Sequence, residues 1–558
     1  MIAISIVLAF AVLMLCLMTA KRLYKNSGSL LELAMSDRLY WTIFVFFALV
    51  AVFVRVYKFG QVPGGFYQDG AMAAVDGKAL ADHGTDRYGM SLPVHLTAWG
   101  YGQMSALLSY MMVPFIKLMG FSPVSARLPI LIVSLLGLAV LYLFSRDAFG
   151  KKAALFIFAF GCIAPWHFMQ SRWALDCNLY PHFFLFGIYF LNRSLKARHR
   201  KLTLSVSMVM FGLCMYCYGI AIYTMPLFLV MACIYLLVKK EVSIPEAFLA
   251  LVVWLAVSWP FITVMVINFF GLETIELGPF TLPFFPDSRR SSDILFFHDP
   301  KYSFIIQLLY DIKCLLLVVF IQAPDKPWNS MPAYGTIYLF SIPFVLLGLG
   351  WTLLQFRKNS AAALLILFYI TGLWCGVCTI GVNVNRINII FYPQIIFAAV
   401  GIYLTVRSFA SVPLRAGLAA VYMLAFVMMC FSYFGEYSKT LEYYFYKDFG
   451  DAMLSIKDDD AEKMYITASL HDDTRGNISE ILTLFYHETD AEYYQGKTCP
   501  EGLLPFDERY TFAPMEDIEI DPEEDAVYVA AEDELDCFDM DLFDARQYGG
   551  FFVLERKE

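Results

Sequence analysis

The sequence predicts an α-helical polytopic membrane protein of about 12 transmembrane helices, followed by a small soluble α/β domain at the C-terminus. Three observations carry that expectation. Hydrophobic residues make up 59% of the 558 and charged residues only 16%, a mixture too apolar for an ordinary soluble core. Apolar runs of bilayer-spanning length recur through residues 1–435 and then stop. The net charge of −9 also hides a division: residues 436–558 hold 33 acidic and 10 basic residues, a net of −23, against 17 and 31, a net of +14, before them. A basic membrane part suits positive-inside loops and an anionic lipid ligand, and the acidic tail argues against nucleic acid as a partner.

The first apolar run, 2–20, has no basic n-region and is followed at once by Lys21, Arg22 and Lys25. It reads as a retained membrane helix and not a cleaved signal. Further spans are expected at 39–56, 128–144, 153–165, 179–191, 202–219, 222–238, 247–269, 336–356, 361–380, 389–406 and 416–434. Basic residues mark the cytoplasmic loops of membrane proteins. Here Lys21-Arg22-Lys25, Arg146-Lys151-Lys152, residues 193–201, Lys239-Lys240, Arg357-Lys358 and the pair Arg407 and Arg415 fall in alternate connections. The chain is therefore expected in the plasma membrane with its N-terminus and tail both outside. The apolar stretch 305–321 breaks this alternation if it spans, and it carries Asp311 and Lys313. It is read as an interfacial or re-entrant helix at the outer surface.

The domain plan is then a membrane module, 1–435, with long outer loops at 57–127 and 271–335 and a shorter one at 166–178, and an acidic extracytoplasmic domain, 436–558. The tail joins a helix-like stretch, 441–456, to strand-like runs at 464–468, 526–530 and 551–554. Of the 12 Cys, ten lie in or beside apolar segments, where the thiol acts as a small hydrophobe. Cys499 and Cys537 lie in the tail and are a candidate disulfide if that tail is extracytoplasmic.

Extended loops on one face of a helix bundle usually carry its function. The first outer loop reads Gly64-Gly65-Phe66-Tyr67-Gln68-Asp69-Gly70 and continues into a helix-like run, 71–80. Asp69 stands where that helix would start, and its commonest role there is an N-cap. The position also favours the ionised carboxylate, so a capping Asp is equally suited to take a proton from an acceptor hydroxyl.

Asp69 just beyond a membrane helix, then Asp82-His83-Gly84-Thr85-Asp86-Arg87-Tyr88-Gly89 and Leu92-Pro93, resembles the first outer loop of the GT-C glycosyltransferases. The resemblance is to the protein O-mannosyltransferase and aminoarabinose-transferase type. Residues 110–114, Ala126-Arg127-Leu128-Pro129, Ala164-Pro165-Trp166-His167, Ser171-Arg172-Trp173, Trp328-Asn329 and Tyr334-Gly335 follow in matching order. One departure stands out. The family's first-loop motif is commonly Asp-Glu, and here Gly70 follows Asp69; Asp176 in the second outer loop is the candidate second carboxylate.

The resemblance implies transfer of a sugar from a polyprenyl-phosphate donor to a lipid, glycan or protein acceptor at the outer face, inverting at the anomeric carbon. It implies Asp69 as catalytic base and no cofactor. Such chemistry needs cations around the departing phosphate. Arg127, Arg172 and Arg386 lie at expected outer ends of membrane segments, with Lys78 in the first loop, as donor-phosphate or structural cations. Arg386 is preferred, because Asn383-Val384-Asn385-Arg386-Ile387-Asn388 flanks it with asparagines and opens a membrane helix.

No metal is expected. His83, His95, His167 and His298 share no ligand-like spacing, and the first outer loop has no Asp-X-Asp. Glu273, Glu276, Asp287, Asp293 and Asp299 read as solvated charges. Trp374-Cys375-Gly376-Val377-Cys378 has a redox-like spacing but lies inside an apolar segment with no βαβ surroundings. Two rival readings remain at this stage: a transporter or flippase of lipid-linked sugar, and a non-catalytic anchor that presents the tail to an envelope partner.

Overall fold

The computed structural model describes residues 2–25, 33–99, 102–286, 294–296, 304–409, 411–473 and 475–557. A helix occupies each predicted apolar segment. Nine described helices, Ile2–Lys25 the first and Val412–Phe434 the last, are long and apolar enough to cross a membrane. Lys151–Ile163, Tyr180–Ser194, Arg200–Cys214 and Ile342–Gln355 are only 13 to 15 residues long, the last two shorter than the sequence implied. At about 1.5 Å per residue a 15-residue helix rises only ~22 Å, less than a hydrocarbon core of ~30 Å. The first of them ends because Pro165 lacks the N–H that would continue it and holds Ala164 extended, at φ −63° and ψ 127°.

By contacts the chain divides into two compact units, one of residues 1–59, 130–263 and 287–435, the other of 60–129, 264–286 and 436–558. The first is the helical membrane unit. Its innermost helix, Phe391–Phe409, is wrapped almost wholly by protein. The partner Ile342–Gln355 comes close enough that a Cβ on Gly348 would lie 1.9 Å from the Phe397 carbonyl oxygen, and one on Gly401 2.2 Å from that of Phe344. Two glycines facing each other's backbone are what allows this crossing, since lipid supplies no hydrophobic drive and association rests on close packing.

The second unit combines the first outer loop, a short segment after the helix Ile244–Phe270, and the tail. The helix Gln68–Asp82 packs on Leu107–Met119 and on the tail helix Asn477–Tyr486. The tail is a small α/β domain around a five-stranded sheet in the order Tyr510–Phe512, Lys463–Ile466, Ala526–Ala531, Phe551–Arg556, Phe543–Tyr548. Its first three strands are parallel, and the last two run antiparallel. Every residue of the central strand Ala526–Ala531 is buried, as its unbroken apolar composition requires. The expected helix 441–456 is instead two, Glu436–Tyr444 and Lys447–Ser455, separated by Tyr446 in the left-handed region at φ +52°. Cys499 and Cys537 are exposed free thiols.

Phe304–Ile321, expected from the sequence as an interfacial or re-entrant helix, is itself long and apolar enough to cross a membrane.

Candidate functional site

Asp69, Lys78 and Arg127 fall in the second unit; Arg172, Asp176 and Arg386 fall in the first. Each set is built by its own local structure.

Asp69 is the second residue of the helix Gln68–Asp82, whose N-cap position is held by Tyr67 with no side-chain cap bond. It is thus not the N-cap expected from sequence. It still lies in the first turn, at the positive end of the helix dipole. The approach to Asp69 is clamped from two sides. Arg127, buried, donates to the carbonyls of Gly60 at 3.2 Å, Pro63 at 3.0 Å and Gly65 at 2.6 Å, and its guanidinium lies 4.9 Å from the Phe66 ring centre. From the tail, the Phe445 carbonyl accepts the Phe66 N–H at 2.7 Å. Gly65 is obligatory here, with φ +75° and a would-be Cβ only 2.1 Å from that same carbonyl oxygen.

Gly65→Ala therefore adds backbone strain of about 1–3 kcal/mol before the clash is counted. We expect a lower thermal melting temperature for the full-length variant in detergent, and a faster proteolytic release of the tail.

The break at Tyr446 gives the tail a direct part in this region. The Tyr446 hydroxyl donates to the His471 carbonyl at 3.0 Å, and the His471 ring is stacked between Tyr443 and Tyr446 at 4.6 and 4.3 Å. Burial first, and then the negative charges of Asp69 and Asp472, push the Tyr67 and Tyr446 phenols well above their usual range. Both remain protonated donors beside Asp69. Sequence reasoning missed Tyr446 and His471, because no motif marks them. The only available signal was Gly64-Gly65, a pair that invites close backbone approach.

Further along the same helix, Lys78 pairs with Asp82 at 2.7 Å. Asp76 and Arg87 form a fully buried ion pair at 2.6 Å, and Arg87 also donates to the Thr97 carbonyl at 3.0 Å. This pair fixes the Asp82-to-Gly89 motif onto the helix. Burial, then the charge of Asp76, pushes the neighbouring Asp86 carboxyl up to about 7. His83, Asp490 and Glu492 form a cluster whose candidate ligand atoms lie within 4.8 Å of one another. The imidazole gives Nε2 to Asp490 at 3.0 Å and Nδ1 to Glu492 at 3.8 Å. A metal ion would need only one of the two ring nitrogens together with the two carboxylates, so the three residues are a candidate ligand set.

In the membrane unit, Arg172 caps a helix. Its guanidinium donates to the carbonyls of Val54 at 2.8 Å, Arg55 at 2.9 Å, Tyr57 at 2.9 Å and Lys58 at 3.2 Å, the open C-terminal end of Asp37–Val56. A cation is favoured at that negative end. Of the two roles expected for Arg127 and Arg172, their hydrogen bonds fit the structural one. Arg172→Met leaves these buried carbonyls without donors, and we expect a loss of about 3–5 kcal/mol, read as a large fall in thermal melting temperature.

Arg386 lies half-buried in the loop ahead of Phe391–Phe409, its backbone N–H bonded to Asn383 Oδ1 at 3.1 Å and its guanidinium to the Ile380 carbonyl. Three loops meet here. Asp325 accepts from Val384 N at 2.5 Å and Asn329 Nδ2 at 3.2 Å, Gln170 donates to Asn329 at 3.4 Å, and Asn388 donates to the Cys177 carbonyl. Burial pushes the Asp325 carboxyl up. Asp176 begins the turn Asp176–Leu179, accepting from Cys177 N at 2.7 Å. The second outer loop, Trp328-Asn329 and Arg386 are therefore one neighbourhood, although they are far apart in sequence. The Cys375 thiol donates to the Arg386 carbonyl at 3.1 Å, inside the helix Ser360–Cys378; the redox-like spacing is helix packing. Asp287, Asp293, Asp299 and His298 lie outside the described residues, and Glu273 and Glu276 are exposed.

A buried chain of donors stiffens this unit. Arg55 donates to His167 Nδ1 at 2.9 Å, so the ring proton of His167 is on Nε2, which donates to the Tyr392 oxygen at 3.0 Å. The Tyr392 hydroxyl then donates to His182 Nδ1 at 2.7 Å. His167 thus has a structural partner at each nitrogen.

With this geometry in view, the comparisons with known proteins are specific. Residues 105–264 match the family model described as dolichyl-phosphate-mannose-protein mannosyltransferase. Among solved structures, ArnT from Cupriavidus metallidurans bound to undecaprenyl phosphate is similar over 92% of this chain and 97% of its own, at 14% identity and a TM-score of 0.56. The apo state of the same protein aligns over 93% and 98%, with a TM-score of 0.53 and 14% identity. The Archaeoglobus fulgidus oligosaccharyltransferase tethered with an acceptor peptide aligns over 81% of this chain and 63% of its own, at 12% identity and a TM-score of 0.51. No curated protein matches the sequence. The chain is a multi-pass membrane protein with the GT-C glycosyltransferase fold, as the sequence resemblance implied.

Proposed function

We propose that the protein transfers a sugar from a polyprenyl-phosphate donor to an acceptor hydroxyl at the extracytoplasmic face of the plasma membrane, with its tail on that same side. The observation that carries this reading is Asp69 in the first turn of Gln68–Asp82, its approach held by Arg127 and by the Phe445 carbonyl. A base so rigidly placed suits proton transfer, which demands hydrogen-bond reach to the nucleophile. The family match and the likeness to a protein bound to undecaprenyl phosphate support the donor class.

In this mechanism the acceptor oxygen attacks the anomeric carbon as its proton passes to the Asp69 carboxylate. The bond from that carbon to the phosphate oxygen breaks, and polyprenyl phosphate leaves with the bonding electrons. Arg386 meets the charge developing on the departing phosphate. Asp176 is the proposed second carboxylate, and no metal is assigned to the step. A single displacement inverts the anomeric carbon. Proton NMR of the product formed from a donor of known anomeric configuration tests this: the opposite configuration is expected, and retention would overturn the single displacement.

A further inference from the structure

A cavity of about 590 Å³ opens in the second unit between the tail and the first outer loop, within the ordinary size range of small-molecule sites, about 300–1,000 Å³. Its walls carry aromatic rings alongside hydrogen-bonding groups. Phe506 stacks on Tyr510 with centres 4.6 Å apart, Tyr510 runs nearly parallel to Phe512 at 6.2 Å and 7°, and Tyr494 meets Phe506 edge-on at 5.1 Å. Glu480, Asp507 and Lys497 line the same cavity. The Tyr494 hydroxyl donates to Glu480 at 2.6 Å, which leaves that carboxylate with acceptor capacity to spare.

We infer that this cavity is a binding site for an uncharged saccharide, the acceptor glycan of the transfer reaction. Three features select that chemistry. Aromatic walls suit the C–H faces of sugar rings, while carboxylates that only accept, beside an ammonium that only donates, suit hydroxyls that do both. An anionic ligand would face two carboxylates inside a tail of net charge −23. The position also fits an acceptor. Tyr88, which lines the cavity, directly follows Arg87, and Arg87 is ion-paired at 2.6 Å to Asp76 on the helix whose second residue is Asp69. The Gln495 amide closes the same wall by donating to the Arg87 carbonyl at 2.9 Å. A glycan held here touches, through Tyr88, the loop that Arg87 ties to the helix carrying the base.

The assignment of the glycan as acceptor rests on the transferase reading; its binding does not. Full-length protein in detergent is titrated with mannotriose, cellotriose and chitotriose, with trigalacturonate as the anionic comparison, by saturation-transfer difference NMR and calorimetry. Saturable binding of at least one neutral trisaccharide is expected, and none of trigalacturonate. Asp507→Asn and Tyr88→Ala, at exposed positions, should each weaken it at least tenfold with an unchanged melting temperature, and Asp69→Asn should leave it intact. Absence of saturable binding by all three neutral probes, binding unaffected by both cavity substitutions, or preference for the anionic probe overturns the inference. Glycan binding without donor turnover would instead count against the transferase reading alone.

Discussion

Asp69→Asn is expected to abolish sugar transfer while the protein stays folded, with kcat falling by about 10²- to 10⁴-fold, the usual contribution of a positioned general base. The amide keeps the size and polarity of the first-turn residue, so the helix Gln68–Asp82 and its contacts with Leu107–Met119 and Asn477–Tyr486 are retained. What is lost is the proton acceptor. The check is radiolabelled donor turnover, paired with a thermal melt of the same preparation. Donor affinity should change little, because the proposed mechanism assigns the phosphate to Arg386 and not to Asp69. A folded Asp69→Asn protein with undiminished turnover would reduce Asp69 to a helix-terminus residue and reopen the transport reading.

Arg386→Gln is expected to act on the other partner of the reaction. A charge-assisted hydrogen bond to a phosphate is worth about 1.5–3 kcal/mol, so the donor KM should rise about 10- to 100-fold, with a fall in kcat to the extent that the bond strengthens as the phosphate departs. Glutamine keeps a donor for the Ile380 carbonyl, and the backbone bond to Asn383 is untouched, so the melting temperature should hold. Titration with undecaprenyl phosphate reads the effect directly. The contrast with Arg172→Met is informative: that change should melt the protein early, because Arg172 spends its guanidinium on four carbonyl groups at the end of Asp37–Val56.

The apolar segments were legible in the sequence because a bilayer imposes a length and a composition on anything that crosses it. The central tail strand was legible for the same kind of reason, an apolar run bounded by acidic turns at Asp525 and Glu532. Asp69 was singled out through its neighbours in sequence, and the structure puts it in the first turn of Gln68–Asp82. What escaped was whatever depends on contacts between distant residues. The union of the first loop with the tail rests on pairs such as Phe66 with Phe445 and Phe66 with Phe485, stacked at 4.2 Å, and neither half announces the other.

The arginines show the same limit more sharply. At the outer end of a membrane segment, an arginine suited to a lipid phosphate and one bound to a helix C-terminus have the same sequence signature; Arg127 donates to three carbonyls, Arg172 to four, and Arg386 to that of Ile380. The chain from Arg55 through His167 and Tyr392 to His182 was invisible because each member sits alone in apolar surroundings. Tyr446 escaped for a different reason. Its left-handed backbone interrupts a segment whose composition is helical throughout, so the break is dictated by the docking against Gly65 and not by local propensity.

The central claim is that this protein breaks the bond between a sugar and a polyprenyl phosphate. The most direct measurement is the release of free polyprenyl phosphate from a panel of radiolabelled polyprenyl-phosphate sugars by the purified wild-type protein, with cell-envelope extract supplied as acceptor. The account predicts release from one member of the panel, dependent on the extract and absent in Asp69→Asn. Intact donor across the whole panel, with the lipid-linked sugar bound but never cleaved, would contradict it.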